Sequence, residues 1–132
     1  MNTFNWYQTL IKPSWAPPSW VFGPVWSVLY VLILISFGKV FLMYINKTIP
    51  FYVLLPFILN IVFNLAFSPI QFRLQNNVLA FFDIVLVLIT LIWAMWVIYP
   101  YAKWIALINI PYLLWVTFAT VLQTTITYLN LK

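Results

Sequence analysis

The stretch "WAPPSWVFGPVWSVLYVLILIS", residues 15–36, decides how the whole chain is read. Its first part crowds Trp15, Trp20 and Trp26 together with Pro17, Pro18 and Pro24; its second part is an unbroken apolar run. Runs of that kind recur along the chain, which is 66% hydrophobic, 21% aromatic and only 5% charged. A soluble domain carries charge on roughly a quarter of its residues, so this exterior has to face lipid. Backbone polar groups in lipid must be satisfied within the spanning structure, which leaves helices or closed barrels. The apolar runs are continuous rather than alternating, and Gly is scarce, which excludes a porin-like barrel. The expected fold class is an all-α membrane protein.

A membrane-spanning helix needs about 20 mostly apolar residues. Four stretches qualify, at about 19–44, 49–72, 78–98 and 102–129, with residues 1–18 as an N-terminal interfacial segment. The separators are short: "NKTIP" (46–50) and "YPYAK" (99–103) carry Lys and Pro, and "RLQNN" (73–77) carries Arg and a helix-capping Asn pair. Connections this short force antiparallel neighbours, so the expected architecture is a compact up-and-down bundle of four transmembrane helices. Residues 1–18 hold no signal-peptide h-region or cleavage site, so no leader is expected. The cations divide three against three, Lys12, Arg73 and Lys132 on the side of both termini and Lys39, Lys47 and Lys103 on the other. The count leaves orientation open.

The chain has no Cys and no His. That excludes disulfides, thiol catalysis, imidazole bases and the usual axial ligands of haem iron. The charge of +5 comes from six basic residues against one acid. On a membrane protein such cations anchor loops at phospholipid headgroups, so membrane lipid is an expected partner and nucleic acid is not.

Polar residues inside the spans are the candidate functional groups. Asn60, Asn64 and Ser68 recur every four residues and form one line on the second span. Thr117, Thr120, Thr124 and Thr127 form a stripe on the last, with Gln123 beside it. The third carries Asp83 and Thr90; the first offers Ser27 and Tyr30. These faces are expected to meet, either as interhelical glue or, for the two Asn, as a pocket or structural lock. Asp83, the single acid, is costly at a helix centre. It is read either as lying shallowly near the positive helix end at Asn76–Asn77 or as a proton-linked site facing the interior.

Trp6, Trp15, Trp93, Trp96, Tyr99, Tyr101 and Trp104 lie near span ends, where aromatic belts form. Trp115 stands about 13 residues into the last span, or roughly 20 Å along its axis. Trp26 lies inside the first, with Tyr30 one turn on. Two Trp too deep for a belt point to a stacking site for a flat apolar ligand.

"KPSWAPPSWVFGPVWSVLY" (12–30) closely resembles the signature of the TspO/MBR family, the tryptophan-rich sensory proteins and translocator proteins. "NLAFSPIQF" (64–72) is similar to that family's Asn-x-x-Trp-Ser-Pro-x-Phe-Phe segment, and "PYLLWVTFATVLQTTITYLN" (111–130) to its last helix. The resemblance implies a bundle that binds porphyrins, above all protoporphyrin IX, and in some members sterols. It also implies a link to stress regulation and to light-dependent porphyrin breakdown, with Trp26 and Trp115 at the positions implicated in that photochemistry. Asn64 corresponds to the pocket-lining Asn, and Trp15, Trp20, Phe22, Tyr30, Pro111, Tyr112 and Ala119 fall on motif positions. Departures stand at Phe67 for Trp, Gln71 for Phe, Asn60 for Gln and Gln123 for Asn. A formal sterol pattern, Leu122-x5-Tyr128-x3-Lys132, is discounted because the family's Tyr position is Thr124. The family has five spans, and the four here match helices 2–5, so the resemblance implies a pocket open on one wall and covered by lipid or a second protomer.

The expected ligand set is therefore Trp15, Trp20, Phe22, Trp26, Tyr30, Asn60, Asn64, Phe67, Tyr112, Trp115 and Ala119 around a protoporphyrin IX-like tetrapyrrole, with nothing covalently bound and no metal. The expected function is tetrapyrrole binding, with light-driven breakdown as the one conceivable enzymatic activity, because no acid–base pair is present. The rivals are a small transporter coupled to protons through Asp83, and an assembly partner with no ligand of its own. The expected location is a bacterial cytoplasmic or equivalent membrane, both termini cytoplasmic, as a homodimer or other oligomer.

Overall fold

A computed structural model describes residues 10–11, 13–16, 19–70 and 76–130. Trp6, Lys12, Pro17, Pro18, Gln71, Phe72, Arg73 and Lys132, singled out above, lie outside the described residues, as do most of the 1–18 segment and the side chain of Ser68. After a 3-10 turn at Ser19–Val21 the chain forms α1 (Phe22–Ile45), α2 (Phe51–Ser68), α3 (Asn77–Ile98), α4 (Lys103–Ile108) and α5 (Ile110–Leu129). Among the described residues every regular element is helical.

The helix ends follow from local chemistry. Pro24 falls in the first turn of α1, where a missing N–H costs no intrahelical bond. It therefore marks the helix start rather than a kink. At the other end Lys47, with φ 62°, ends α1 in a left-handed turn: its N–H bonds Tyr44 O at 3.0 Å and that of Thr48 bonds Met43 O at 2.8 Å. Pro50 then precedes α2, two residues later than the expected start at 49. Asn76 caps α3 by accepting from the Leu79 N–H at 3.0 Å.

The last span departs from expectation. Residues 102–129 were expected as one helix, but the chain breaks at Asn109 into α4 and α5. Pro111 is the cause, because its ring cannot donate to Leu107 O and clashes with that turn. The Asn109 side chain fills the break, donating to Ile105 O at 2.8 Å and to Ser36 Oγ of α1 at 3.1 Å. Trp115 consequently stands in the second turn of α5.

Three helices, α1, α3 and α5, are long and apolar enough to cross a membrane; α2 is a shorter apolar helix. The protein is a multi-pass helical membrane protein. α3 is the central element, packed along α2 on one side and along α5 on the other. Its inner face carries Ala80, Ile84, Val87, Leu91, Ala94 and Ile98, all buried, and the two Ala let neighbouring backbones come close. The α1–α2 seam is held by Phe37 and Phe57, whose rings meet edge to face at 4.8 Å. Trp96, 78% exposed, lies on the outer surface as a lipid-facing residue should.

If Ala94 sets the packing distance of α3, Ala94→Leu overfills a closed interior and destabilises by about 1–3 kcal/mol. Thermal unfolding in detergent checks this: the variant should melt lower than wild type, while Ile92→Leu on the exposed side of α3 should melt alike.

Candidate functional site

The polar residues of α2 converge on one hydroxyl. Tyr112, in the first turn of α5, is fully buried, and its Oη donates to Asn60 Oδ1 at 2.8 Å. The same Oη accepts from Asn64 Nδ2 at 2.6 Å. Asn64 Oδ1 accepts in turn from Tyr30 Oη of α1 at 3.0 Å, and Asn60 Nδ2 donates to Val87 O and Thr90 Oγ1 of α3. The result is a single chain of hydrogen bonds, every donor pointing the same way, from Tyr30 through Asn64, Tyr112 and Asn60 to α3. It touches four helices. The four-residue spacing of Asn60 and Asn64 makes this possible, because it places both amides on one face a turn apart.

This chain lines a cavity of about 320 Å³ between α1 and α2. Its polar wall is Tyr30, Asn60, Asn64 and Tyr112; the rest is aliphatic and aromatic, including Leu34, Phe37 and Phe41. The volume falls at the low end of the range of about 300–1,000 Å³ typical of small-molecule sites. Tyr30, 43% exposed, stands at the edge of the cavity, while Tyr112 forms its floor.

The aromatic residues form two groups beside it. The Trp26 ring lies 5.5 Å from Tyr30 at 30° and 6.4 Å from Tyr112 at 72°, so it backs the polar wall. Trp115 packs instead with Phe22 at 6.0 Å and with Phe118 at 5.4 Å, and Phe118 meets Trp15 edge-on at 5.8 Å. The Trp115 Nε1 is buried with no hydrogen-bond partner among the described residues. Of the expected ligand set, Tyr30, Asn60, Asn64 and Tyr112 line the cavity, and Trp26 touches two of them. Phe22, Trp15 and Trp115 form the second group. Phe67 and Ala119 pack on the core as half-buried residues, and Trp20 is 73% exposed.

Other polar residues play different parts from those expected. Thr117, Thr120 and Thr124 donate to carbonyls four residues back on α5, at 2.7–2.8 Å. A hydroxyl in apolar surroundings takes its own helix's carbonyl when no partner is in reach, so three of the stripe do not bridge helices. Thr127 does, donating to Asn77 O of α3 at 3.0 Å, with Gln123 donating to Thr127 Oγ1. Ser27 likewise bonds back to Gly23 O and lies outside the polar seam. Asp83 is buried on the inner side of α3, and among the described residues its Oδ2 has no partner. Sequence reasoning missed two fasteners. One is the Asn109–Ser36 bond; the other is the Asn130 amide, which accepts from Ile11 N at 3.2 Å and donates to Ile11 O at 2.9 Å. Only the placement of Asn109 two residues before Pro111 signalled the first.

The fold is that of a helical membrane protein in which Tyr30, Asn60, Asn64 and Tyr112 form the polar wall of one cavity. The model of the TspO/MBR family matches residues 1–129, and the chain belongs to that family. It is 42% identical over 126 residues to the tryptophan-rich protein TspO of Bacillus cereus, covering 96% of this chain and 81% of that protein. Similar coverage, 95% and 79%, accompanies 35% identity to the Chlorobaculum tepidum protein of the same name. The human translocator protein is 32% identical over 127 residues, covering 90% of this chain and 71% of that one.

The hydrogen-bond chain makes a graded prediction. Tyr112→Phe leaves Asn60 Oδ1 and Asn64 Nδ2 without their partner and should cost about 1–3 kcal/mol. Tyr30→Phe removes one bond at a half-open edge and should cost roughly 0.6 kcal/mol. Unfolding of both variants in detergent checks the order; a Tyr30 loss equal to or larger than the Tyr112 loss contradicts it.

Proposed function

We propose that this protein binds a tetrapyrrole of the protoporphyrin IX type within the membrane. The observation that carries the reading is the cavity wall Tyr30–Asn64–Tyr112–Asn60, backed by the Trp26 ring. An otherwise apolar pocket with a few fixed polar groups holds a flat apolar ligand and orients its edge. Stacking on Trp26 supplies area, and the Asn64 amide and the Tyr30 hydroxyl supply hydrogen bonds to the polar rim of the macrocycle. The cavity accommodates an edge rather than the whole ring, so the rest of the ligand lies along the α1–α2 opening against lipid or a second protomer. With no His or Cys in the chain, a metal-free macrocycle suits the site better than haem. Light-driven breakdown of the bound ligand would then draw on the ligand's own photochemistry next to Trp26. The same reading takes the protein as a four-span bundle of a cytoplasmic or equivalent membrane, with both termini on the cytoplasmic side, in contact with lipid, in some settings sterol, and with a second copy of itself.

Titrating the purified protein with protoporphyrin IX tests this reading. Tryptophan fluorescence should be quenched saturably, and Asn64→Leu should weaken binding about tenfold, the loss of a hydrogen bond in a dry site being worth about 1–1.5 kcal/mol. Trp26→Phe should weaken it more than Trp115→Phe. Equal effects of the two Trp variants contradict the placement, and unsaturable quenching removes the site altogether.

One observation favours a second reading. Asp83 Oδ2 is buried without a partner among the described residues, and a membrane-embedded acid of that kind serves in proton-coupled transport. Under this reading Asp83→Asn abolishes proton-driven solute uptake in liposomes and leaves porphyrin affinity unchanged. Absence of uptake by the wild type across candidate solutes removes it.

A further inference from the structure

At the end of the bundle formed by the α1–α2 and α3–α4 connections, a second pocket of about 530 Å³ opens at the surface. It lies apart from the Tyr30–Asn60–Asn64–Tyr112 cavity and is lined by Tyr44, Lys47, Thr48, Pro50 and Tyr101, with Ile45 and Ile49 behind them. Tyr52 Oη lies 3.5 Å from Tyr101 Oη at the same end. That hydrogen bond, ahead of desolvation, raises the Tyr101 pKa above its ordinary value and keeps the hydroxyl protonated.

Lys47 sits where its backbone is least comfortable. It occupies the left-handed position just past the end of α1, with φ 62°. Gly takes that position without strain, whereas a side chain there costs roughly 1–2 kcal/mol. A costly residue held at a pocket mouth points to a use for its side chain. The use is not capping. The carbonyls that end α1, those of Leu42, Met43 and Tyr44, already accept from the N–H groups of Asn46, Thr48 and Lys47, and Met43 O accepts the Thr48 hydroxyl as well. Nor is it an ion pair among the described residues. The single acid, Asp83, lies fifteen residues before the Ile98 end of α3, or about 22 Å along the axis. Lys103, the neighbouring cation, has its ammonium 5.8 Å from the Tyr99 ring. Among the described residues the Lys47 ammonium has no partner.

An unpaired ammonium beside Tyr hydroxyls, at the membrane–water level of a bundle ringed by Tyr99, Tyr101 and Trp104, has the chemistry of a phosphate receptor. We infer that this pocket docks the phosphate of an anionic membrane lipid, with Lys47 as the counter-charge, Tyr44 and Tyr101 as hydroxyl donors, and the acyl chains lying along α1. Lysines at an anionic membrane surface each contribute about 1 kcal/mol, equivalent to roughly fivefold in affinity. The inference is independent of any ligand in the inner cavity.

The test uses the full chain in nanodiscs containing equal phosphatidylglycerol and phosphatidylcholine, followed by native mass spectrometry of the retained lipid. Wild type should retain phosphatidylglycerol about fivefold over phosphatidylcholine. Lys47→Gly should lose that preference while melting no lower than wild type in neutral detergent, because Gly relieves the left-handed turn. Lys103→Gln, outside the pocket, should keep the preference. Added phosphatidylglycerol should raise the melting temperature in detergent, and excess inorganic phosphate should not. Equal retention of the two lipids, or an undiminished preference in Lys47→Gly, overturns the site. A full rise with inorganic phosphate alone overturns the lipid assignment in favour of a free anion.

Discussion

The structure depends on one buried hydroxyl. Tyr112 Oη both donates to Asn60 and accepts from Asn64, so a single group on α5 engages two successive turns of α2. Two amides deep in a lipid-embedded bundle carry a large desolvation cost unless their capacity is used. Here each amide uses both ends: Asn60 reaches α3 and Asn64 reaches Tyr30 of α1. Because the hydrogen bonds form one continuous chain rather than separate pairs, the register of α1, α3 and α5 against α2 is fixed together. Lipid offers no competing water, and hydrophobic contact alone does not choose one register over another between equally apolar helices.

The same arrangement that fixes register also makes a polar wall. Phe37 and Phe57 meet across the α1–α2 seam, and beside them, from Tyr30 to Phe41 of α1, the helices leave room that the hydrogen-bond chain faces. The polar wall is thus a by-product of the lock: the groups that hold the bundle also line the cavity. Trp26 lies against two of those groups, which ties its ring to the lock as well. At the opposite end of α1 the physics differs. Lys47 and the tyrosines there face the headgroup region, where charge is solvated and interactions reach outward.

Much of this was legible in the residues. The apolar runs declared a helical membrane protein because so little charge leaves no other exterior, and the Asn60–Asn64 spacing declared one polar face on α2. The motif around residues 12–30 pointed to the family that the comparison then established. What the residues hid was choice of partner. A Thr stripe looks the same whether its hydroxyls bridge helices or bond their own backbone, and most of this stripe does the latter. Pro111 stands inside the span expected over 102–129, and its division of that helix shows only where Asn109 and Ser36 meet across the break. The aromatic residues hid their grouping for the same reason: Trp26 and Trp115 both lie deep in sequence terms and pack on one core, but the ring of Trp26 meets Tyr30 and Tyr112 while that of Trp115 meets Phe22 and Phe118.

The central claim is that the amides locking α2 are also the ligand-facing groups. Side-chain amide signals of the protein, selectively labelled at Asn with nitrogen-15 and followed by NMR as protoporphyrin IX is added, report on it directly. The Asn64 and Asn60 amide resonances should shift saturably, while that of Asn109, equally buried but bonded to Ser36 outside the cavity, should stay in place. Binding that moves Asn109 and leaves Asn60 and Asn64 unchanged would contradict the account.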